Sequence, residues 1–157
     1  MALEQTDLCE FIRTELAVLL PILEASEFSY DFIIPEKQMV VSIDKKQLDR
    51  VIFNLIHNAV RYNPKGTNIR IEVVQKENMV EIKIKDNGIG ISREDAKHIF
   101  NAFYRVDSSR NSEKGGTGLG LAIAAKIINA HGGTIELFTA IGEGCEFVLT
   151  LPFIEKI

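Results

Sequence analysis

The sequence has no tryptophan and only two cysteines and four prolines in 157 residues, and its apolar runs are all short of a bilayer span. Cys9 and Cys145 stand far apart, which excludes a disulfide framework and a cysteine metal cluster and fits a reducing, cytoplasmic setting. Positive charge is also sparse: 18 Lys and Arg against 22 Asp and Glu give a net charge of −4 with the signs interspersed, so no basic stripe points to nucleic acid. The first residues lack a basic start followed by an apolar core, so no secretory leader is read. Internal repeats are absent too. What is present is 46% hydrophobic content, enough for one core in a chain of one-domain length. The expectation is a single domain over 1–157, a piece of a longer protein, since Met1-Ala2 leads almost directly into helical sequence.

Apolar spacing predicts a first helix over Leu8 to Leu23, with Asp7 as N-cap and Pro21 near its end. Phe28 to Ile34 and Met39 to Ile43 read as two strands paired with each other across Glu36-Lys37-Gln38. Lys45 to Tyr62 is helical again, with Leu48, Val51, Ile52, Leu55, Ala59 and Tyr62 on one side and Arg50, Asn54, His57, Asn58 and Arg61 on the other. Asn63-Pro64-Lys65-Gly66 ends that helix by its turn chemistry. Asn68 to Val74 and Met79 to Asp86 alternate as a hairpin, and Ser92 to Phe100 reads as a short helix capped by Ser92. A helix over Leu119 to Ala130 stops at His131-Gly132-Gly133, and strands follow over Thr134 to Phe138 and Glu146 to Leu151. This order implies an α/β protein, a two-layer sandwich of a mixed, mostly antiparallel sheet with helices on one face.

Three stretches carry chemistry. Lys114-Gly-Gly-Thr-Gly-Leu-Gly-Leu121 places four glycines before a helix, either a phosphate cradle of free backbone N–H groups or a flexible surface linker. Asn54 and Asn58 stand four residues apart on one helix face; their amides suit a hard cation such as Mg²⁺ or simply a solvated face. Asp86 shares the parity of Val80, Ile82 and Ile84, so its carboxylate continues a core-facing row and needs donors, from a ligand or from the Asn87-Gly88-Ile89-Gly90-Ile91 turn it would cap. The glycine loop is followed by Leu121-Ala122 rather than Lys-Ser/Thr, against a P-loop, and preceded by polar sequence rather than a strand, against a Rossmann fingerprint. The polar run Asp107 to Gly116 is expected to be mobile without ligand.

Taken in order, these residues resemble the catalytic and ATP-binding domain of bacterial sensor histidine kinases, within the wider ATPase group that includes gyrase. Asn54 to Tyr62 resembles the N box, Asp86 to Gly90 the G1 box, Phe100 to Asp107 the F box and Gly116 to Leu121 the G2 box. The resemblance implies the Bergerat ATP-binding fold and ATP with Mg²⁺ as ligands. It implies Asn58 as the Mg²⁺ ligand with Asn54 beside it, Arg61 on the phosphates, Tyr62 near the adenine, and Asp86 accepting from the adenine amine. Gly88, Gly90 and Ile91 would line the base, and Arg105 and Arg110 would face the γ-phosphate. Lys114, Gly116, Thr117, Gly118, Leu119, Gly120 and Leu121 would wrap the phosphates under an ATP lid over about 104–118. The implied activity is transfer of the γ-phosphoryl group to a histidine on a phosphoacceptor domain absent from this chain, then to a response regulator. This piece would be monomeric and cytoplasmic, and the full protein a homodimer at the inner membrane.

None of His57, His98 and His131 has the family's acceptor pattern, a His followed by an acidic residue opening a long helical hairpin. Asn101-Ala102 replaces the usual charged pair of the F box, and Cys145 stands where Thr is common. Asn54 stands where gyrase-like relatives carry a Glu base, which favours transfer over hydrolysis. An ATPase or anti-sigma serine kinase of the same group, and a nucleotide sensor without transfer, are the alternative readings.

Overall fold

The computed structural model describes residues 1–104 and 120–154. The polypeptide begins with β1 (Glu4–Asp7) and α1 (Leu8–Ala25), whose first turn is capped by the Asp7 carboxylate accepting from the Cys9 amide. There follow β2 (Ser29–Ile33), β3 (Val40–Ile43), and α2 (Lys45–Tyr62), capped by Asp44 accepting from the Gln47 amide. Then come β4 (Asn68–Lys76), β5 (Met79–Asp86), the one-turn α3 (Arg93–Ala96), α4 (Gly120–Ala130), β6 (Thr134–Thr139) and β7 (Cys145–Pro152).

Five strands form the main sheet in the order β2-β4-β5-β7-β6, with β2 parallel to β4 and the other neighbours antiparallel. Register explains why one face is apolar. Ile71, Ile84 and Phe147 lie in one cross-strand row, and Val73, Ile82 and Leu149 lie in the next. All six are buried, and with the apolar sides of α1, α2 and α4 they make one core. The same row logic places Ile69, Asp86 and Cys145 side by side at the end of the buried face.

Four expectations are corrected. β2 and β3 do not pair with each other: β2 adds to β4 as a parallel edge strand, while β3 pairs with β1 in a separate two-stranded sheet. The residues before α1 are therefore not a mere lead into a helix but the strand β1, whose Glu4 stands opposite Ile43. The helix expected over Ser92 to Phe100 is helical only over Arg93–Ala96, although Ser92 caps it as expected, its hydroxyl accepting from the Asp95 amide. On α2, Ile56 belongs to the buried side, fully enclosed, whereas Tyr62 is only half-buried.

His131 is a structural residue. Its ring is buried, Nδ1 donates to the Ile127 carbonyl at 2.8 Å and Nε2 accepts from the Asp44 amide at 3.0 Å, so the Nδ1–H tautomer ties the end of α4 to the start of α2. Among the described residues no helix is long and apolar enough to cross a membrane.

Candidate functional site

α2 and α4 run antiparallel, because His131 joins the end of one to the cap of the other while Asn54 Nδ2 donates to the Gly120 carbonyl at 3.4 Å. Their lengths differ: 18 residues against 11. At a rise of about 1.5 Å per residue, α4 matches the first half of α2 and stops at Asn54. The second half, with Asn58, Arg61 and Tyr62, therefore projects past the N-terminus of α4. That end carries the positive pole of the helix dipole and N–H groups that find no partner within the helix itself. Asn58 and Tyr62 are half-buried, and Asn58 has no hydrogen-bond partner among the described residues. Arg61 donates to His57 Nδ1 at 3.1 Å, and the His57 ring stacks on Phe53 at 5.4 Å. Desolvation, and then the Arg61 charge, lower the pKa of His57, which keeps Nδ1 available as acceptor.

The Asp86 carboxylate closes the other side. It is 7% exposed, and Oδ1 accepts from the Gly88 amide at 2.9 Å and the Cys145 amide at 3.3 Å. Burial raises its pKa, partly offset by those two amides. The turn that follows is pinned from several elements. Asn87 exchanges bonds with the backbone of Asn68, and Ile89 N–H donates to Asn63 Oδ1 at 3.0 Å. The Ile89 carbonyl accepts from the Gly142 amide at 2.8 Å, and Ile91 N–H donates to Thr139 Oγ1 at 2.9 Å. The Thr139 hydroxyl in turn donates to the Gly144 carbonyl at 2.7 Å, and Cys145 Sγ lies 3.4 Å from it. Burial first, and then the Asp86 charge, raise the Cys145 pKa against the opposing Thr139 bond, so the residue at this point is a half-buried neutral thiol.

Glycines here answer to neighbours in the chain. A Cβ on Gly90, at φ +73°, would stand 1.9 Å from the Ala140 carbonyl oxygen, and one on Gly88 would stand 1.9 Å from Asn63 Oδ1. A Cβ on Gly144, at φ +76°, would stand 2.0 Å from the Asp86 carbonyl oxygen. Gly120 differs, since a Cβ there would make only ordinary contact with Asn54 at 3.8 Å. Leu121 packs partly buried against the core.

The structure thus places Asn58, Arg61 and Tyr62 on the projecting end of α2 and Asp86, Gly88, Gly90 and Ile91 at the end of β5 and in the turn after it, two groups joined by the bond from Ile89 to Asn63, with Gly120 and Leu121 opening α4 beside Asn54. Arg105, Arg110, Lys114, Gly116, Thr117, Gly118 and Leu119, most of the lid over 104–118 and the expected mobility of 107–116 lie outside the described residues. In the F-box stretch Phe100 packs edge-on against Phe147 at 6.2 Å, while Asn101 Nδ2 lies 3.2 Å from His98 Nδ1. Sequence reasoning missed Asn63 and Thr139, whose roles depend on tertiary placement. The only signal for Asn63 was its position directly after Tyr62, where it read as turn chemistry.

Among the described residues no group of three or more His, Cys, Asp or Glu is placed to hold a metal. Mg²⁺ keeps several waters and takes one or two protein oxygens beside phosphate oxygens. The Asn58 carboxamide, without a partner among the described residues, fits an ion that arrives with a phosphate ligand better than a resident metal.

The family model described as "Histidine kinase-, DNA gyrase B-, and HSP90-like ATPase" matches residues 43–155. The sensor histidine kinase WalK of Bacillus subtilis is 41% identical over 125 residues, which are 78% of this chain and 20% of that protein. The chain therefore spans about a fifth of the length of the curated relatives it matches. The catalytic domain of histidine kinase ThkA, solved nucleotide-free, superposes with a TM-score of 0.83 at 25% identity, covering 97% of this chain and 98% of that one. Full-length ShkA, solved in complex with AMPPNP, gives a TM-score of 0.85 at 22% identity over 99% of this chain and 32% of its own, a likeness of fold.

Proposed function

The chain belongs to the histidine kinase-, DNA gyrase B- and HSP90-like ATPase family, and from that premise we propose that it binds ATP between the end of α2 and the turn after β5 and serves as the catalytic domain of a sensor histidine kinase. The observation that carries the reading is Asp86. A buried carboxylate takes two backbone amides on Oδ1, which leaves Oδ2 as the acceptor for a donor from outside. The exocyclic amine of adenine supplies such a donor; guanine would set a carbonyl oxygen against the same carboxylate. ATP is therefore favoured over GTP. Gly88, Gly90 and Ile91 hold the turn flat beside the base, and Tyr62 borders it from α2.

Arg61 and Asn58, beyond the positive end of α4, take the phosphate side. Mg²⁺ bound with the nucleotide would neutralise phosphate charge, with Asn58 as its protein ligand. Roles for Arg105 and Arg110 at the γ-phosphate, and for Lys114, Gly116, Thr117, Gly118 and Leu119 as the phosphate wrap and lid, rest on the family resemblance alone. Asn54 spends its amide on Gly120, and the polar face formed by Arg50, Asn54, His57, Asn58 and Arg61 contains no carboxylate to activate water. That absence favours phosphoryl transfer to a histidine over hydrolysis.

The acceptor would lie on a dimerisation and phosphoacceptor domain of the whole, homodimeric protein at the bacterial inner membrane, with this domain on the cytoplasmic side. ThkA has been solved in complex with the response regulator protein TrrA, and a regulator of that kind would take the phosphoryl group here. Incubation of this chain with labelled ATP, Mg²⁺ and a separate histidine hairpin should give acid-labile phosphate on the hairpin. Acid-stable phosphoserine on a partner, or ATP binding with no labelling of any hairpin, overturns the kinase reading.

A further inference from the structure

Asn63 ends α2 and would ordinarily pass as turn chemistry before Pro64. Its side chain does more than stop a helix. Nδ2 donates to the Ala59 carbonyl at 2.9 Å, one turn back on α2, while Oδ1 accepts from Ile89 N–H at 3.0 Å, 26 residues further along the chain. One rigid carboxamide thus spans the two groups of the candidate site, the α2 end that carries Arg61 and Tyr62 and the turn that follows Asp86. The amide plane fixes donor and acceptor on opposite edges, so the spacing between the groups is set by two bonds of ordinary length rather than by loose packing.

Gly88 is the complement. An added Cβ would lie 1.9 Å from Asn63 Oδ1, 2.3 Å from its Cγ and 2.9 Å from its Nδ2, so no rotation of the carboxamide in place relieves the overlap. Gly88 is not in the left-handed region, unlike Gly90 at φ +73°. Its requirement for glycine comes from space for Asn63 and not from backbone conformation.

We infer that Asn63 is a positioning residue that latches the base-side turn to the phosphate-side helix, and that Gly88 lacks a side chain in order to admit this latch. The inference deepens the nucleotide site proposed above and rests on it for its effect on ATP; the latch itself has a readout without nucleotide. Asn63→Ala removes both bonds and should weaken ATP binding about tenfold, the scale of a pair of modest hydrogen bonds. GTP binding should fall less, because only the base-reading geometry around Asp86 is loosened, so the ATP to GTP ratio narrows. Gly88→Ala should displace the carboxamide and cost the same about tenfold, and Gly88→Ala on top of Asn63→Ala should add little, since the obstacle is gone.

The experiment is calorimetric titration of ATP and GTP into the whole chain and the three variants, with hydrogen exchange of the Ile89 amide measured on each without nucleotide. Faster Ile89 exchange in Asn63→Ala together with non-additive losses supports the latch. Unchanged Ile89 exchange, or a full Gly88→Ala loss that persists in the Asn63→Ala background, overturns it. Equal weakening of ATP and GTP with a lowered melting temperature also overturns it, since that is the mark of a helix cap alone. If the parent chain binds neither nucleotide while Ile89 exchange still depends on Asn63, the latch stands and the proposed function fails. Should Asn63→Ala not fold, Asn63→Ser keeps a polar helix end but is too short to reach Ile89, and takes its place.

Discussion

At the scale of single residues, Asp86 sets function against stability. A carboxyl whose pKa is raised on folding holds its proton more tightly in the folded chain than in the unfolded one. Its contribution to stability is therefore complete below its ordinary value of 3.8 and is lost as the pH rises through the folded value. Above that folded value the ionised group opposes folding of the nucleotide-free protein. Asp86→Asn keeps an oxygen for the Gly88 and Cys145 amides and turns Oδ2 into a donor. We expect the melting temperature of the free variant at pH 7 to exceed that of the parent, with the gap closing toward pH 4. Its ATP affinity should fall by about tenfold or more, since a donor then faces the adenine amine. Scanning calorimetry and isothermal titration on the same samples check both; a variant that is less stable at pH 7 contradicts the burial argument. Asp86 was legible in the sequence because strand parity is strict: one odd carboxylate in a row of Val80, Ile82 and Ile84 must face the core. Asn63 was not, because no periodicity records that a helix end and a turn 26 residues on come within hydrogen-bond reach.

Between elements, α1 and α2 meet through two carboxyls. Glu15 on α1 has its pKa raised to about 7 by burial, by the hydrogen bond its protonated carboxyl donates to the Asp49 carboxylate on α2 and by the Asp49 charge. Between its ordinary 4.5 and about 7 the folded state binds the extra proton, so stability falls as pH rises through that window. Glu15→Gln removes the loss. It should raise the melting temperature at pH 8 and leave it nearly unchanged at pH 4, as followed by circular dichroism; an equal shift at both pH values would show that packing and not charge is responsible.

The long helices and the hairpin of β4 and β5 were read closely from the sequence, since α2 keeps a 3.6-residue period and β4 and β5 alternate over eight or more residues. The partnering of short strands was not legible. β2 and β3 have five and four residues, and nothing local in Phe28 to Ile43 says that the first joins β4 and the second β1. The glycines were visible as punctuation, but whether each serves a ligand or a neighbour such as Ala140 required the fold.

Considered whole, the molecule is larger than the family match. Residues 43–155 are matched, yet Leu8, Cys9, Phe11, Ile12, Leu16, Leu19 and Leu23 of α1 are buried in the same core. Seven such side chains represent roughly 10 to 20 kcal/mol of apolar burial, comparable to the whole net stability of a domain. A chain cut to 43–157 should lack a cooperative thermal transition and bind dye that reports exposed apolar surface; a sharp transition near that of the parent would refute this.

The antiparallel part of the main sheet is two hairpins, β4 with β5 and β6 with β7, sewn together where β5 meets β7. Each hairpin closes over a few residues, from Lys76 to Met79 and from Thr139 to Cys145, whereas the seam at Asp86 and Cys145 joins positions 59 residues apart. Local turns form in microseconds, and long loops close late because their entropy must be lost before contacts repay it. The Asp86 amide cradle lies on that seam, since its carboxylate ends β5 while one of its donors, Cys145, begins β7. During refolding, strand signal should therefore rise before any affinity for nucleotide exists, and the ability to bind should arrive only with the last and slowest phase.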